Sequence, residues 1–232
     1  MSIHDGHRQR LKNRFLNEGL DNFEEVQVLE LLLFYCIPQK DTNPIAHALL
    51  DRFGSLAQVL EAPPSELKKV PGVKDAVATY LPLITSACRY YLVNRSANGV
   101  ILTTIEECGK YLAPFFCGKR NETVYLLCLD AKCKVLCCKE VGEGSVNSAS
   151  VPIRRIVEMA LGANATSVVL AHNHPSGIAV PSGDDHLTTK RLAISLASVD
   201  IALVDHLVFA DDDYVSLRQS GRYHPEDCRL TL

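Results

Sequence analysis

The chain has 232 residues, 47% of them apolar, enough for one large or two small packed domains and too many for wholesale disorder. No apolar run approaches the roughly 18 residues of a membrane span, and the opening MSIHDGHRQRLKNR lacks the apolar stretch of a secretory signal, so a cytoplasmic protein without a membrane partner is expected. Net charge is −3, with eleven Lys/Arg against eleven Asp/Glu in residues 1–98 and thirteen against sixteen in residues 99–232, so neither half has the basic excess of a dedicated nucleic-acid binder.

The first ninety residues read as helices. From His7 to Glu18, Leu11, Phe15 and Leu16 recur at helical spacing among Arg8, Arg10, Lys12 and Arg14, a charged face that is ordinarily just solvated. Asn22 to Tyr35 reads as a second helix, with Asn22 as its cap and Glu24 and Glu25 in its first turn. Thr42 to Phe53 reads as a third, started by Asn43-Pro44 and stopped by Gly54. SLAQVLEA follows and ends at Pro63-Pro64. From Ser65, SELKKVPGVKDAVATYLPLITSACRYYL resembles a helix-hairpin-helix unit over residues 65–91, with a short helix through ELKK, a tight VPGVK turn and a second helix. Val77, Tyr80, Ile84, Ala87 and Tyr91 keep one face of that second helix apolar. Such hairpins touch a DNA phosphate through backbone N–H groups without reading sequence. Gly72 and Lys74 are therefore candidate DNA contacts, and weak non-specific DNA binding is expected. Two departures favour the alternative, a helical packing unit with no DNA contact: Lys74 stands where the usual hairpin has its second glycine, and Pro82 interrupts the second helix.

VNRSANGVIL, residues 93–102, is the best linker, which divides the chain into 1–92, a connection over 93–103, and 104–232. IEECGKYLAPFF then reads as a helix broken at Pro114. TVYLLCLD, KVLCCKEV, TSVVLAH, IALVDHLVFA and YVSL read as strands, and PIRRIVEMALGA and GDDHLTTKRLAISLAS as helices, an α/β or α+β pattern around a single sheet. There is no internal repeat. The nine cysteines are odd in number, and Cys128, Cys133, Cys137 and Cys138 cluster without C-x-x-C spacing. Ordinary reduced thiols are expected, with Cys128 acting as a small buried hydrophobe.

The stretch AHNHPSGIAVPSGDDH crowds three histidines and two aspartates into sixteen residues. TSVVLAH is a short buried strand that delivers His172 and His174 at its end, two apart and so pointing the same way. Ser182 reads as a helix N-cap with Asp185 three residues on. A strand end followed by a helix cap would explain these residues; so would a metal site. Asp184 competes with Asp185 as the acid, His186 is expected to be exposed, and His206 reads as a buried structural histidine or the partner of a ligand.

His-x-His, seven residues, Ser, two residues and Asp matches the motif of the JAMM (MPN+) metalloproteases. The words HNHPSG, PSGDD and DHLVFA, with GHRQRLKNRF, LELLLFYCIPQKDTNPIA and LLDRFGSL nearer the start, resemble the RadC family over nearly the whole chain. That resemblance implies an N-terminal all-α, helix-hairpin-helix-like domain. It implies next an α/β domain of cytidine-deaminase-like, JAMM/MPN type with a central mixed sheet. It implies one zinc per chain held by His172, His174 and Asp185, with a fourth position left to water. Glu122 would be the general base, Glu140 and Glu143 being the alternatives, and Ser182 would stabilise an oxyanion. The implied activity is that of a zinc metallopeptidase or isopeptidase acting on a protein or peptide. The other class left open is a non-catalytic, DNA-associated recruitment or structural protein that retains the metal site, since the family carries a DNA-repair name.

Overall fold

The computed structural model describes residues 3–95, 99–143, 152–211 and 213–225; part of the expected linker, residues 96–98, and Cys228 lie outside them. The chain divides into two compact units, Met1–Cys88 and Arg89–Leu232, so the division falls inside a helix and not in the loop after it.

The first unit is helical. Helix α1 (Ile3–Glu18) precedes α2 (Glu25–Cys36), α3 (Asn43–Phe53), α4 (Leu56–Leu60), α5 (Pro64–Leu67) and the start of α6 (Asp75–Arg95). Helix α2 is capped by Glu24, not Asn22: the Glu24 carboxylate takes the Gln27 backbone N–H, and the Gln27 side chain returns to the Glu24 N–H. A reciprocal pair satisfies two otherwise unpaired donors, where an asparagine farther out would satisfy one. The start of α3 has Pro44 in its first turn, and Gly54 closes it at φ 92°, a left-handed backbone that suits glycine. Leu29, Leu33, Leu49, Leu67, Val77 and Leu81 build the core. Arg8 donates to the carbonyls of Ile37 and Pro38 at 2.6 and 2.9 Å, and Arg14 to that of Asn22 at 2.6 Å, so both tie loops down instead of presenting free charge.

Two prolines expected to break helices do not. Helix α6 runs on through Pro82 and α7 (Ile105–Phe116) through Pro114. Each ring removes one donor to the carbonyl four residues back. Burial of Ala78 and Leu81 beside the first, and of Leu112 and Phe115 beside the second, holds the helix in place.

The second unit is a five-stranded mixed sheet between helices. The strands are β1 (Thr123–Leu129), β2 (Val135–Glu143), β3 (Ser167–Asn173), β4 (Ala202–Ala210) and β5 (Asp213–Ser216), in the spatial order β2-β1-β3-β4-β5. Among the described strands only β3 and β4 pair in parallel. Their connection is α9 (Gly183–Ala197); α8 (Ile153–Gly162) lies between β2 and β3. Alternation along the strands sorts side chains to two faces. Leu126, Val168, Leu170 and Val208 pack against Ile156 of α8 and Leu192 and Leu196 of α9. Tyr125, Leu127, Val169 and Phe209 pack against Tyr111, Leu112 and Phe115 of α7. The same alternation splits the cysteine cluster: Cys128 and Cys137 belong to the first face and Cys138 to the second. Burial pushes the Cys128 thiol up to about 12 and the Cys138 thiol well above its ordinary value, the opposite of what a thiolate ligand needs.

Candidate metal centre

The site sits at the ends of the central strands. Strand β3 delivers His172 on its α9 face, and His174, just past the strand, keeps its backbone N–H on the Phe209 carbonyl at 2.7 Å. The chain then turns through Pro175–Gly177 and reaches Ser182, the N-cap of α9. Ser182 and Asp185 form a capping box: the Ser182 N–H and hydroxyl both donate to Asp185 Oδ2, at 2.7 and 2.6 Å, and the Asp185 N–H donates to Ser182 Oγ at 3.1 Å. The helix cap and the histidine cluster are thus one structure. Asp185 Oδ1 stands 3.3 Å from His172 Nε2, and Oδ2 stands 3.7 Å from His174 Nε2.

Glu122 enters from the residue before β1, its Oε1 3.8 Å from His172 Nε2. Glu122, His172 and His174 form a group that could hold a metal ion, with ligand atoms within 4.8 Å of one another. The other two carboxylates lie elsewhere. Glu140 accepts from Lys119 at 2.9 Å and from the Tyr125 hydroxyl at 3.1 Å, and Lys119 holds its carboxyl below the usual range. Glu143 accepts from the Asn121 amide at 2.8 Å. His186 is half-buried where exposure was expected.

Counting hydrogens shows what the cluster lacks. His174 Nδ1 lies 2.9 Å from the Ile178 carbonyl, an acceptor only, so Nδ1 carries a hydrogen, and in the neutral ring Nε2 presents a lone pair. Thr189 Oγ1 donates to the Asp185 carbonyl at 2.6 Å, so its oxygen must accept from His206 Nδ1, also at 2.6 Å. His206 Nε2 is then an acceptor and takes its hydrogen from His172 Nδ1 at 2.8 Å. Both rings are neutral at physiological pH. Burial pushes His172 down to about 4 despite the attraction of Asp185, and burial pushes His206 well below its ordinary value. The Nε2 atoms of His172 and His174 therefore face each other as lone pairs 2.9 Å apart, beside two carboxylates. With both rings neutral no hydrogen lies between these atoms, and a cation placed among them would satisfy the lone pairs and the carboxylates together. Ligand atoms of a tetrahedral site with bonds near 2.0–2.1 Å stand about 3.3 Å apart; the two Nε2 atoms and the Asp185 oxygens beside them are spaced at 2.9–3.7 Å, and Glu122 lies within 4.8 Å of both histidines. The residues fit a divalent metal.

Asn173 and Thr189 were not singled out in the sequence; His206, read there as a buried structural histidine or the partner of a ligand, is buried against His172. Asn173, between the two histidines and 6% exposed, accepts from the Thr123 N–H at 2.8 Å and donates to the Asn121 carbonyl at 3.3 Å, bracketing Glu122. Thr189 and His206 form the chain of hydrogen bonds behind His172. Of the two that were missed, only the Asn173 position carried a visible signal, as the middle residue of His-x-His.

A helical unit followed by a helix-flanked mixed sheet, with a His/His/carboxylate group at the strand ends, defines a JAB-type domain behind a helical region. The model of the RadC-like JAB domain matches residues 102–222, and the chain belongs to that family. It is 33% identical over 223 residues to UPF0758 protein FN0909 of Fusobacterium nucleatum subsp. nucleatum, covering 93% of this chain and 96% of that one. No helix among the described residues is long and apolar enough to cross a membrane.

Proposed function

We propose that the chain is a zinc-dependent hydrolase of amide or isopeptide bonds, with His172, His174 and Asp185 as the metal ligands and Glu122 as the general base. The observation that carries this reading is the convergence of the His172 and His174 Nε2 atoms, 2.9 Å apart, beside Asp185 Oδ1 and Glu122. Asp185 is the better third ligand because Ser182 holds its Oδ2, which lies 3.7 Å from His174 Nε2, and leaves Oδ1 3.3 Å from His172 Nε2. Bound there, the metal supplies Lewis acidity, which lowers the pKa of a coordinated water toward neutrality and polarises a carbonyl. Glu122 takes the proton from the attacking water and returns it to the leaving nitrogen. The Ser182 hydroxyl has one hydrogen, now on Asp185, so it reaches a developing oxyanion only by releasing that contact. The protein purified without a histidine tag should carry one zinc per chain by elemental mass spectrometry. Unchanged metal content in His172→Ala/His174→Ala would end the assignment.

A second reading, contact with DNA through the α5–α6 hairpin, draws support from Gly72, at φ 90° in a tight turn, and from exposed Lys74. A helix-hairpin-helix identity for this segment, and a DNA-repair or recruitment role for the chain, belong to the same reading. Lys68 pairs with Asp75 and Lys69 with Glu66, so the hairpin holds little free charge. Binding should be weak, indifferent to sequence and lost as salt rises. Labelled duplexes of unrelated sequence titrated at two salt concentrations test it; no binding at low salt counts against the hairpin.

A further inference from the structure

We propose that Thr189 and His206 are positioning residues that fix the ring tautomer of His172, so that its Nε2 lone pair faces the metal centre before any metal arrives. The proposal rests on the reading of His172 as a ligand. A neutral imidazole has one ring hydrogen and can carry it on either nitrogen. With the hydrogen on Nε2, His172 could not accept a metal until that hydrogen left. The relay forbids that state. It begins at the Asp185 main-chain carbonyl, which has no hydrogen to give. It passes through a hydroxyl that has one, and through a ring that has one, to His172 Nδ1. Each distance is between 2.6 and 2.8 Å, and His172, Thr189 and His206 are all 3% exposed or less. Water is not at hand to replace a lost partner.

The relay also closes a ring. It starts from the backbone of the residue whose carboxylate faces His172 Nε2, so α9, β4 and β3 are tied together around one spot. A register shift makes it possible. Val168 pairs with Leu203, but Val169 pairs with Asp205, so β4 gains one residue there. The extra residue flips the alternation and turns His206 onto the α9 face, toward His172 and Thr189.

The test is made on metal-free protein with isotope-labelled histidine, reading ring nitrogens by long-range proton–nitrogen correlation at neutral pH. In the wild type, His172 and His206 should each carry their hydrogen on Nδ1. Thr189→Val keeps the shape but removes the oxygen, and His172 should then shift wholly or partly to its Nε2–H form. Zinc affinity, measured by chelator competition, should fall about 10- to 100-fold. Thr189→Ser should restore both. A hydrogen on Nε2 of His172 in the wild type overturns the proposal and needs no variant, so misfolding of Thr189→Val does not shelter it. An unchanged His172 tautomer in folded Thr189→Val overturns it too, while leaving the ligand assignment standing. Conversely, the expected tautomers in a wild type that holds no zinc would support the relay and sink the hydrolase reading.

Discussion

At the scale of single residues, the two carboxylates beside the histidines are distinguished by what holds them. Asp185 is locked by Ser182 and 2% exposed, whereas Glu122 reaches in from the edge of a strand, farther from His172 Nε2. A carboxylate held close to the histidines suits a ligand, and one standing farther off leaves room for a water between it and the metal, which suits proton transfer. Glu122→Gln should therefore keep the fold and its zinc, and lose about 100- to 10,000-fold in hydrolysis, the usual contribution of a general base. Asp185→Asn should lose metal as well. Metal content of both variants, with hydrolysis on a panel of peptide and isopeptide substrates, separates the roles; full metal loss in Glu122→Gln would make Glu122 the ligand instead. His172, His174, Ser182 and Asp185 were picked out because their spacing matches the JAMM motif, and the structure brings the four together. Glu122 lies fifty residues earlier and no spacing fixes it. The sequence left Glu140 and Glu143 open as alternatives; the fold commits both to partners around Lys119.

Elements were legible wherever periodicity carried them and less so where one residue decided. All five strands follow from β-branched and apolar runs, and the helices on both sides of the sheet from helical patterning. The β4 bulge does not, because an extra residue in a run such as ALVDHLVFA leaves no mark on its pattern. The prolines misled in the opposite direction, since burial on either side of them outweighed a single missing hydrogen bond. Asn173 is a further case: its amide joins the end of β3 to the start of β1 by taking the buried Thr123 N–H. Asn173→Leu keeps similar bulk but leaves that donor unpaired, and should cost about 1–3 kcal/mol in urea unfolding. Asn173→Asp retains the acceptor and should cost less. Equal stability of Asn173→Leu and wild type would show that the bracket around Glu122 contributes nothing to the fold.

Over the whole chain, the helical core of Leu29, Leu49, Leu67 and Leu81 and the two cores flanking the sheet are separate clusters, and the proposed metal ligands all belong to the second unit. A ligand that binds only the folded form stabilises the unit it binds. Metal should therefore raise the unfolding temperature of the sheet unit and leave the helical unit unaffected. At a free zinc concentration 100 times Kd, the added stability is about 2.7 kcal/mol. For a unit of this size that corresponds to a rise on the order of 5–10 °C. The chain has no tryptophan, so calorimetry is the natural probe. Two transitions are expected, with chelator lowering one and sparing the other. In His172→Ala/His174→Ala, the chelator-sensitive transition should start low and stop responding. A single transition that shifts as a whole would show that the helix shared by the two units, α6, couples them into one cooperative body.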